Sequence, residues 1–119
     1  MKNANFIAFD FETATMQHAA CQLGMAIVKE GEVVKTINRM IQPPKNRYTP
    51  QCVAVHGITP EQTANAPTFD VVWDEVKTYF EANFVVAHNL KFDLEVLNKS
   101  LQRYNLPHPI FMGKACTYE

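Results

Sequence analysis

The chain has 119 residues, of which 47% are apolar and 19% are charged, and its formal net charge is −1. This length and composition suit one globular domain with a single core, and they exclude a disordered chain. The charge balance excludes a broadly basic surface, so a nucleic-acid partner would have to be recognised by a local site.

Three strands are predicted in the first third of the chain. Phe6 to Phe11 is apolar on both faces except at Asp10, which predicts a central strand covered on both sides. Cys21 to Lys29 and Val33 to Ile41 are the second and third strands. The KEGE sequence between them is typical of a hairpin, so we expect these two strands to be antiparallel.

A proline-rich segment and a helix follow. Residues 42–67 hold five of the seven prolines and are predicted to be mainly loop, with a short helix beginning at Thr59–Pro60. Thr68 to Asn83 is the clearest helix, and Thr68 can cap it. Its apolar stripe has helical spacing and consists of Phe69, Val72, Trp73, Val76 and Phe80.

The last third of the chain predicts a strand, a helix and a strand. Phe84 to Ala87 is a short apolar strand, and Leu90 to Tyr104 is a helix that Asn89 can cap. Ile110 to Cys116 is predicted as a fifth strand. The order β-β-β-α-β-α-β indicates an α/β protein with a mixed sheet flanked by helices.

Two carboxylates lie side by side on the first strand. Residues two apart in a strand point to the same face, so Asp10 and Glu12 project together. Their mutual repulsion has three possible resolutions: the strand ends in solvent, the pair shares a proton, or a cation binds between them. Mg²⁺ and Mn²⁺ favour such oxygen ligands.

Asp93 adds a third carboxylate. It lies in the first turn of the last helix, where an acid also stabilises a helix simply through the helix dipole. If the strand before that helix pairs with the first strand, Asp93 leans over Asp10 and Glu12. Three carboxylates around one point favour divalent metal ions, which in two-metal sites clamp the oxygens of a phosphoryl transfer.

Four motifs resemble those of a known family. Residues 6–14, FIAFDFETA, are similar to the D-x-E-T segment of the DnaQ-like (DEDD) 3′–5′ exonucleases, a family that includes the proofreading ε subunit of bacterial DNA polymerase III. Residues 85–97, VVAHNLKFDLEVL, resemble its N-x-x-F-D motif. Residues 53–69 resemble its H-G-I-T segment, and ACTYE at 115–119 resembles its C-T strand end.

The resemblance implies a ribonuclease H-like fold with a five-stranded mixed sheet, three antiparallel strands and then two parallel ones, flanked by helices. It implies two Mg²⁺ or Mn²⁺ ions and hydrolysis at the 3′ end of single-stranded DNA or RNA. Asp10, Glu12 and Asp93 would be the catalytic metal ligands. Asp10 would bridge both ions, and Glu12 would lie near the attacking water.

Four more residues are expected at the substrate. The resemblance places the backbone of Thr13 at the sugar of the 3′-terminal nucleotide and His56 in the nucleotide pocket. Asn89 would order the second motif, and Phe11 completes the set of substrate-binding residues.

The chain departs from the family pattern at the third motif. That motif carries a general-base histidine or tyrosine and a fourth aspartate, and none of His18, His56, His88 and His108 fits it. We therefore expect residues 1–119 to be the N-terminal part of one exonuclease domain, with C-terminal helices missing. The alternative is a catalytically weak domain that binds nucleic-acid ends or a protein partner.

Partners and location are also predicted. The expected partners are a single-stranded 3′ end, a DNA polymerase subunit, and a second copy of the chain joined through the sheet face that lacks helices. No apolar run is long enough to span a bilayer, and we expect no signal peptide because MKNANFIAFD lacks its apolar region and cleavage site. The odd, widely spaced set of three cysteines suits a reducing, cytoplasmic compartment.

Overall fold

A five-stranded mixed sheet organises the molecule in a computed structural model that describes residues 4–116. The strands are β1 (Phe6–Thr13), β2 (Ala20–Lys29), β3 (Glu32–Met40), β4 (Phe84–Ala87) and β5 (Gly113–Cys116). They lie in the order β3-β2-β1-β4-β5, with β1–β2 and β2–β3 antiparallel and β1–β4 and β4–β5 parallel. This arrangement confirms the predicted sheet.

Four helices and one 3₁₀ turn connect the strands. The long helices α3 and α4 come before and after β4, as predicted. The bounds are Pro44–Asn46 for the 3₁₀ turn, then α1 (Pro50–His56), α2 (Pro60–Thr63), α3 (Phe69–Phe80) and α4 (Leu90–Arg103). No helix of residues 4–116 is both long and apolar enough to cross a membrane.

The hairpin between β2 and β3 has a two-residue turn. Glu30 and Gly31 both have positive φ values, 52° and 80°, between the paired residues Lys29 and Glu32. Two positive φ values match the right-handed twist of the flanking strands, which is why a glycine is favoured here. The predicted antiparallel pairing is confirmed.

Within residues 4–116, helices cover only one face of β1, so the expectation of two covered faces is wrong. Ile7, Phe9 and Phe11 are at most 3% exposed and belong to the core formed with α3 and α4. The Phe9 ring lies edge-on to that of Phe80, with 5.2 Å between centroids. Because side chains alternate along a strand, the residues between them face the opposite, open side, where Asp10 is exposed.

The segment 42–67 is more helical than its prolines suggested. Pro50 begins α1, and Gly57 ends it in the left-handed conformation with φ 74°. These are standard start and stop signals, and the same Thr–Pro start was recognised only at Thr59–Pro60. At that second start, the Gln62 side chain accepts a hydrogen bond of 2.9 Å from the Thr59 N–H.

Two predicted boundaries are too long. Helix α3 ends at Phe80 because Ala82 has φ 58°, which a helix cannot contain. Strand β5 begins at Gly113 because the preceding residues bond to the connection before β4: the Met112 N–H donates to the Asn83 carbonyl at 2.9 Å. Thr68 precedes α3 as predicted, but its hydroxyl bonds to the Asp70 carboxylate instead of to a backbone N–H.

Two of the three cysteines are buried, and the third lies at the end of β5. Cys21 and Cys52 are buried, as expected of small apolar residues, whereas Cys116 is exposed, and all three are free thiols. Cys116 ends β5, but the rest of the C-T motif, residues 117–119, lies outside the described residues.

Candidate active site

Two carboxylates mark the open face of β1 near its C-terminal end. Asp10 is exposed and Glu12 is partly buried, and the side chains alternate with the buried Phe9 and Phe11. Since β4 runs parallel to β1 in the neighbouring position, the C-terminal ends of both strands meet at this edge of the sheet. Helix α4 starts immediately after β4, so its first turn is brought to the same edge.

Asp93 is held over this edge by the backbone of β1. Its side chain is buried, with 2% exposure, and its Oδ1 accepts a hydrogen bond of 2.9 Å from the Phe11 N–H. Phe11 is the residue between Asp10 and Glu12. One hydrogen bond therefore fixes the third carboxylate beside the first two.

Burial raises the pKa of all three carboxylates, and neighbouring acids add to the rise at Asp93 and Glu12. The pKa of Asp93 is raised to about 6, first by burial, with the hydrogen bond from the Phe11 N–H opposing the rise and the charges of Asp10 and Glu12 contributing to it. Burial also raises the pKa of Asp10, with His88 opposing, and the pKa of Glu12, with Asp10 adding to the rise and His56 opposing it. Among the described residues, no lysine or arginine contributes to the pKa of any of the three, so their charge is offset by histidine side chains alone.

The donor set suits a hard divalent cation, although the side chains are not gathered around one point. Within residues 4–116, no three His, Cys, Asp or Glu side chains are close enough to hold one metal ion. Asp10 and Glu12 retain solvent contact and can change rotamer at small cost, whereas Asp93 is fixed. The three carboxylates offer oxygen donors only, and these are the ligands that Mg²⁺ and Mn²⁺ prefer.

His56 is bonded to backbone through both ring nitrogens. Its Nδ1 accepts from the Ile58 N–H at 2.9 Å, so the proton of a neutral ring lies on Nε2, which faces the Thr13 carbonyl at 2.8 Å. The imidazole thus joins the turn after α1 to the end of β1, one residue beyond Glu12. The contact of His56 with this edge runs through the backbone of Thr13.

Phe11 and Asn89 also act on the site through local structure. The Phe11 side chain is 2% exposed and points into the core, so only its backbone reaches the carboxylates. Asn89 caps α4, and its side chain accepts from the Phe92 N–H at 3.5 Å. This cap sets the first turn of α4, which carries Asp93.

The sequence analysis did not place His88 at the site. His88 is exposed directly after β4, and its charge lowers the pKa of Asp10. The β1–β4 register pairs Ile7 with Val85 and Ala8 with Val86, and counting two residues onward along both strands leads to Asp10 and His88. Counting along two adjacent parallel strands was the signal that could have found it. Both residues line an open cavity of about 410 Å³ on the uncovered face.

The other two histidines differ in their distance from the carboxylates. The His18 ring lies 5.6 Å from that of Phe92, between centroids, and its Nε2 lies 3.9 Å from a Glu95 carboxylate oxygen. His18 therefore contacts the first turns of α4. His108 packs against Phe111 instead, with 5.5 Å between ring centroids, on the opposite side of the core from the open face.

Comparisons with known proteins agree on one family. The RNase_T model, described as "Exonuclease", matches residues 7–119. Exodeoxyribonuclease 10 of Escherichia coli K12 is 30% identical over 88 residues, 74% of this chain and 38% of that protein. The PolC-type DNA polymerase III of Streptococcus mutans is 26% identical over 112 residues, 90% of this chain and 7% of the polymerase. The chain thus spans well under half the length of either relative.

A solved structure matches over almost the whole chain. Exonuclease X, determined in complex with 5′ overhanging duplex DNA, superposes with a TM-score of 0.71 at 26% identity. The match covers 94% of this chain and 59% of exonuclease X.

Proposed function

The chain belongs to the RNase_T exonuclease family, and from this membership we propose that it hydrolyses phosphodiester bonds at the 3′ end of single-stranded DNA or RNA. Family members generally use divalent metal ions. The observation that carries the proposal is the hydrogen bond from Phe11 to Asp93, which fixes a third carboxylate beside Asp10 and Glu12. A purely structural pair of acids on an open strand would not need this buried third one.

The proposed roles follow from where each side chain is held. Asp10, Glu12 and Asp93 would ligate two Mg²⁺ or Mn²⁺ ions, with Asp93 as the fixed ligand and the two β1 carboxylates as adjustable ones. Such ions polarise the scissile phosphate and lower the pKa of bound water. Glu12 would orient the attacking water, and the Thr13 backbone would contact the terminal sugar.

The remaining substrate-side residues are proposed to work by positioning. His56 holds the Thr13 carbonyl, Asn89 caps the helix that carries Asp93, and the Phe11 backbone holds Asp93 itself. Each therefore supports a group that would contact either the metal ions or the 3′-terminal nucleotide.

A second candidate function is binding of nucleic-acid ends without efficient hydrolysis. It is favoured by the lack, within residues 4–116, of three acids or histidines gathered closely enough for one ion. It is also favoured by His56, whose two ring nitrogens are both engaged and so not available as a general base. A positioned base commonly contributes about 10²–10⁴-fold to rate.

Several wider assignments belong to the same proposal. We assign residues 1–119 to one exonuclease domain, and a DNA polymerase subunit is the proposed protein partner because a PolC-type polymerase is among the relatives. The free thiols support a reducing, cytoplasmic location. A second copy of the chain is the proposed partner for the open sheet face.

The test is release of mononucleotides from a 3′-labelled single strand in Mn²⁺, comparing the chain with Asp10→Ala. Glu32→Ala, an exposed acid at the start of β3, serves as the control. We expect activity that Asp10→Ala reduces at least 100-fold and Glu32→Ala leaves unchanged. Folded protein that binds the strand but releases no nucleotide would favour the second candidate function. Matched DNA and RNA strands in the same assay identify the substrate.

A further inference from the structure

A cleft of about 250 Å³ opens beside the loop that follows β1. Its charged lining consists of Lys45 within the 3₁₀ turn after β3, Arg47 directly after that turn, and Arg103 at the end of α4. Thr15 contributes to the wall, and no carboxylate does among the residues that line it. Two segments that are distant in sequence thus bring three cations to one cleft beside the loop after β1.

The cations sit on fixed backbone. Asn46, between Lys45 and Arg47, donates through Nδ2 to the Pro60 carbonyl at 2.8 Å, and its Oδ1 accepts from the Thr63 hydroxyl at 2.8 Å. Arg103 donates through Nη2 to the Gln17 carbonyl at 3.1 Å. A ligand would therefore meet a largely preformed arrangement, which reduces the entropy cost of binding.

The charge of the cleft is not neutralised by nearby acids. The ion pairs in the described part of the chain use Glu95, Glu75 and Asp74, and none involves the three cations of the cleft. Two of the chain's three arginines are gathered here, although the net charge is −1. Guanidinium groups suit phosphate because they donate paired hydrogen bonds in a fixed plane.

The cleft and the carboxylates lie along the same helix and the same loop. Asp93 and Arg103 are ten residues apart on α4, about 15 Å along its axis. His18, in the loop that contributes Thr15, contacts Phe92 beside Asp93. We propose that the cleft binds backbone phosphates of the strand whose 3′ end reaches Asp10, Glu12 and Asp93. This proposal rests on the proposed function and gives the strand a second point of attachment upstream of the cleaved bond.

The test is binding of 5′-fluorescein oligothymidylates of two to twelve nucleotides, measured by anisotropy in EDTA to prevent hydrolysis. Lys45→Gln/Arg47→Gln is compared with Lys29→Gln/Lys99→Gln, which removes the same charge from exposed positions outside the cleft. We expect the cleft variant to bind the 12-mer at least tenfold more weakly. Its slope of log K against log salt should fall by about 1.4, roughly 0.7 for each lost phosphate contact with a single strand.

The dependence of affinity on oligonucleotide length and the variant Arg103→Gln distinguish the possible outcomes. Wild-type affinity should rise sharply once the strand is long enough to reach the cleft, and this rise should be lost in the cleft variant and reduced in Arg103→Gln. If wild type binds the 12-mer and the cleft variant binds it equally with the same salt slope, the cleft proposal fails and the proposed function stands. A wild-type chain that binds no oligonucleotide of any length in EDTA would overturn the cleft proposal, whereas the proposed function is decided separately by nucleotide release in Mn²⁺.

Discussion

Ionising the Asp93 carboxyl lowers the stability of the metal-free folded protein. Its pKa is raised from 3.8 to about 6, first by burial. The folded chain therefore holds this proton more tightly than the unfolded chain, and the free energy of unfolding falls as pH rises from about 4 to 6. Above that window, the loss for this group approaches about 3 kcal/mol.

Replacing Asp93 with Asn should remove that loss. The amide oxygen can still accept from the Phe11 N–H, but it has no charge to desolvate. We expect Asp93→Asn to be more stable than wild type by about 2–3 kcal/mol at pH 7.5 in EDTA, and equally stable at pH 4. Urea unfolding at pH 4, 5, 6 and 7.5 measures this. Parallel curves for the two proteins across the whole range would contradict it.

His56 is predicted to stabilise the fold through both ring nitrogens, and its neutral ring is predicted to carry the proton on Nε2. Removing it leaves the Ile58 N–H and the Thr13 carbonyl without their partner, at a cost of about 1–3 kcal/mol for each buried group. We expect His56→Ala to lower the free energy of unfolding by about 2–4 kcal/mol, and His108→Ala by less than about 1 kcal/mol. The ring of wild-type His56 should show ¹⁵N shifts of an Nε2–H tautomer. A proton on Nδ1 would disprove the hydrogen-bond assignment.

The connection between α1 and α2 depends on one glycine. Gly57 has φ 74° and precedes Ile58, whose N–H bonds to His56. A Cβ at position 57 would meet nothing within 4 Å, so the cost of alanine is that of the left-handed backbone alone, about 1 kcal/mol. That strain would act on the bond that orients His56.

Gly57→Ala should therefore destabilise the protein by about 1 kcal/mol, whereas Gly24→Ala should change the free energy of unfolding by less than about 0.5 kcal/mol. Gly24 has extended backbone on β2, and a Cβ there would approach the Asp10 carbonyl oxygen only to 4.0 Å. Denaturant titration of both variants tests the contrast. An equal loss in both would show that space, and not backbone conformation, decides the cost.

The elements that carry the carboxylates were predictable because local patterns specify them. The apolar run of β1 and the Asn89 cap of α4 each depend on a few neighbouring residues. Helix α1 was missed because seven residues are too short to show a stripe, and only its terminal signals indicate it. The bonds of His56 join residues 43 apart, and no local pattern encodes that contact.

At the scale of the whole molecule, the sheet presents one apolar face to solvent. Periodicity showed which β1 residues share a face, but it did not show that both long helices pack on the same side. Phe84 and Met112 are 37% and 75% exposed on the uncovered side, where they line an open cavity of about 450 Å³. The Phe84 ring packs closely against Gly113, where an added Cβ would come within 2.7 Å of a ring carbon.

Contiguous exposed apolar surface of this kind favours association, and a closed dimer would use the same face of both copies. We expect sedimentation equilibrium to show concentration-dependent dimers. Met112→Asp should raise the dissociation constant at least tenfold, because a charge would be desolvated in the interface. Val55→Asp, at a position 84% exposed on α1, is the matched control. A wild-type chain that stays monomeric at every concentration would contradict this prediction. Equal effects of the two variants on the dissociation constant would show that the open face is not the contact between copies.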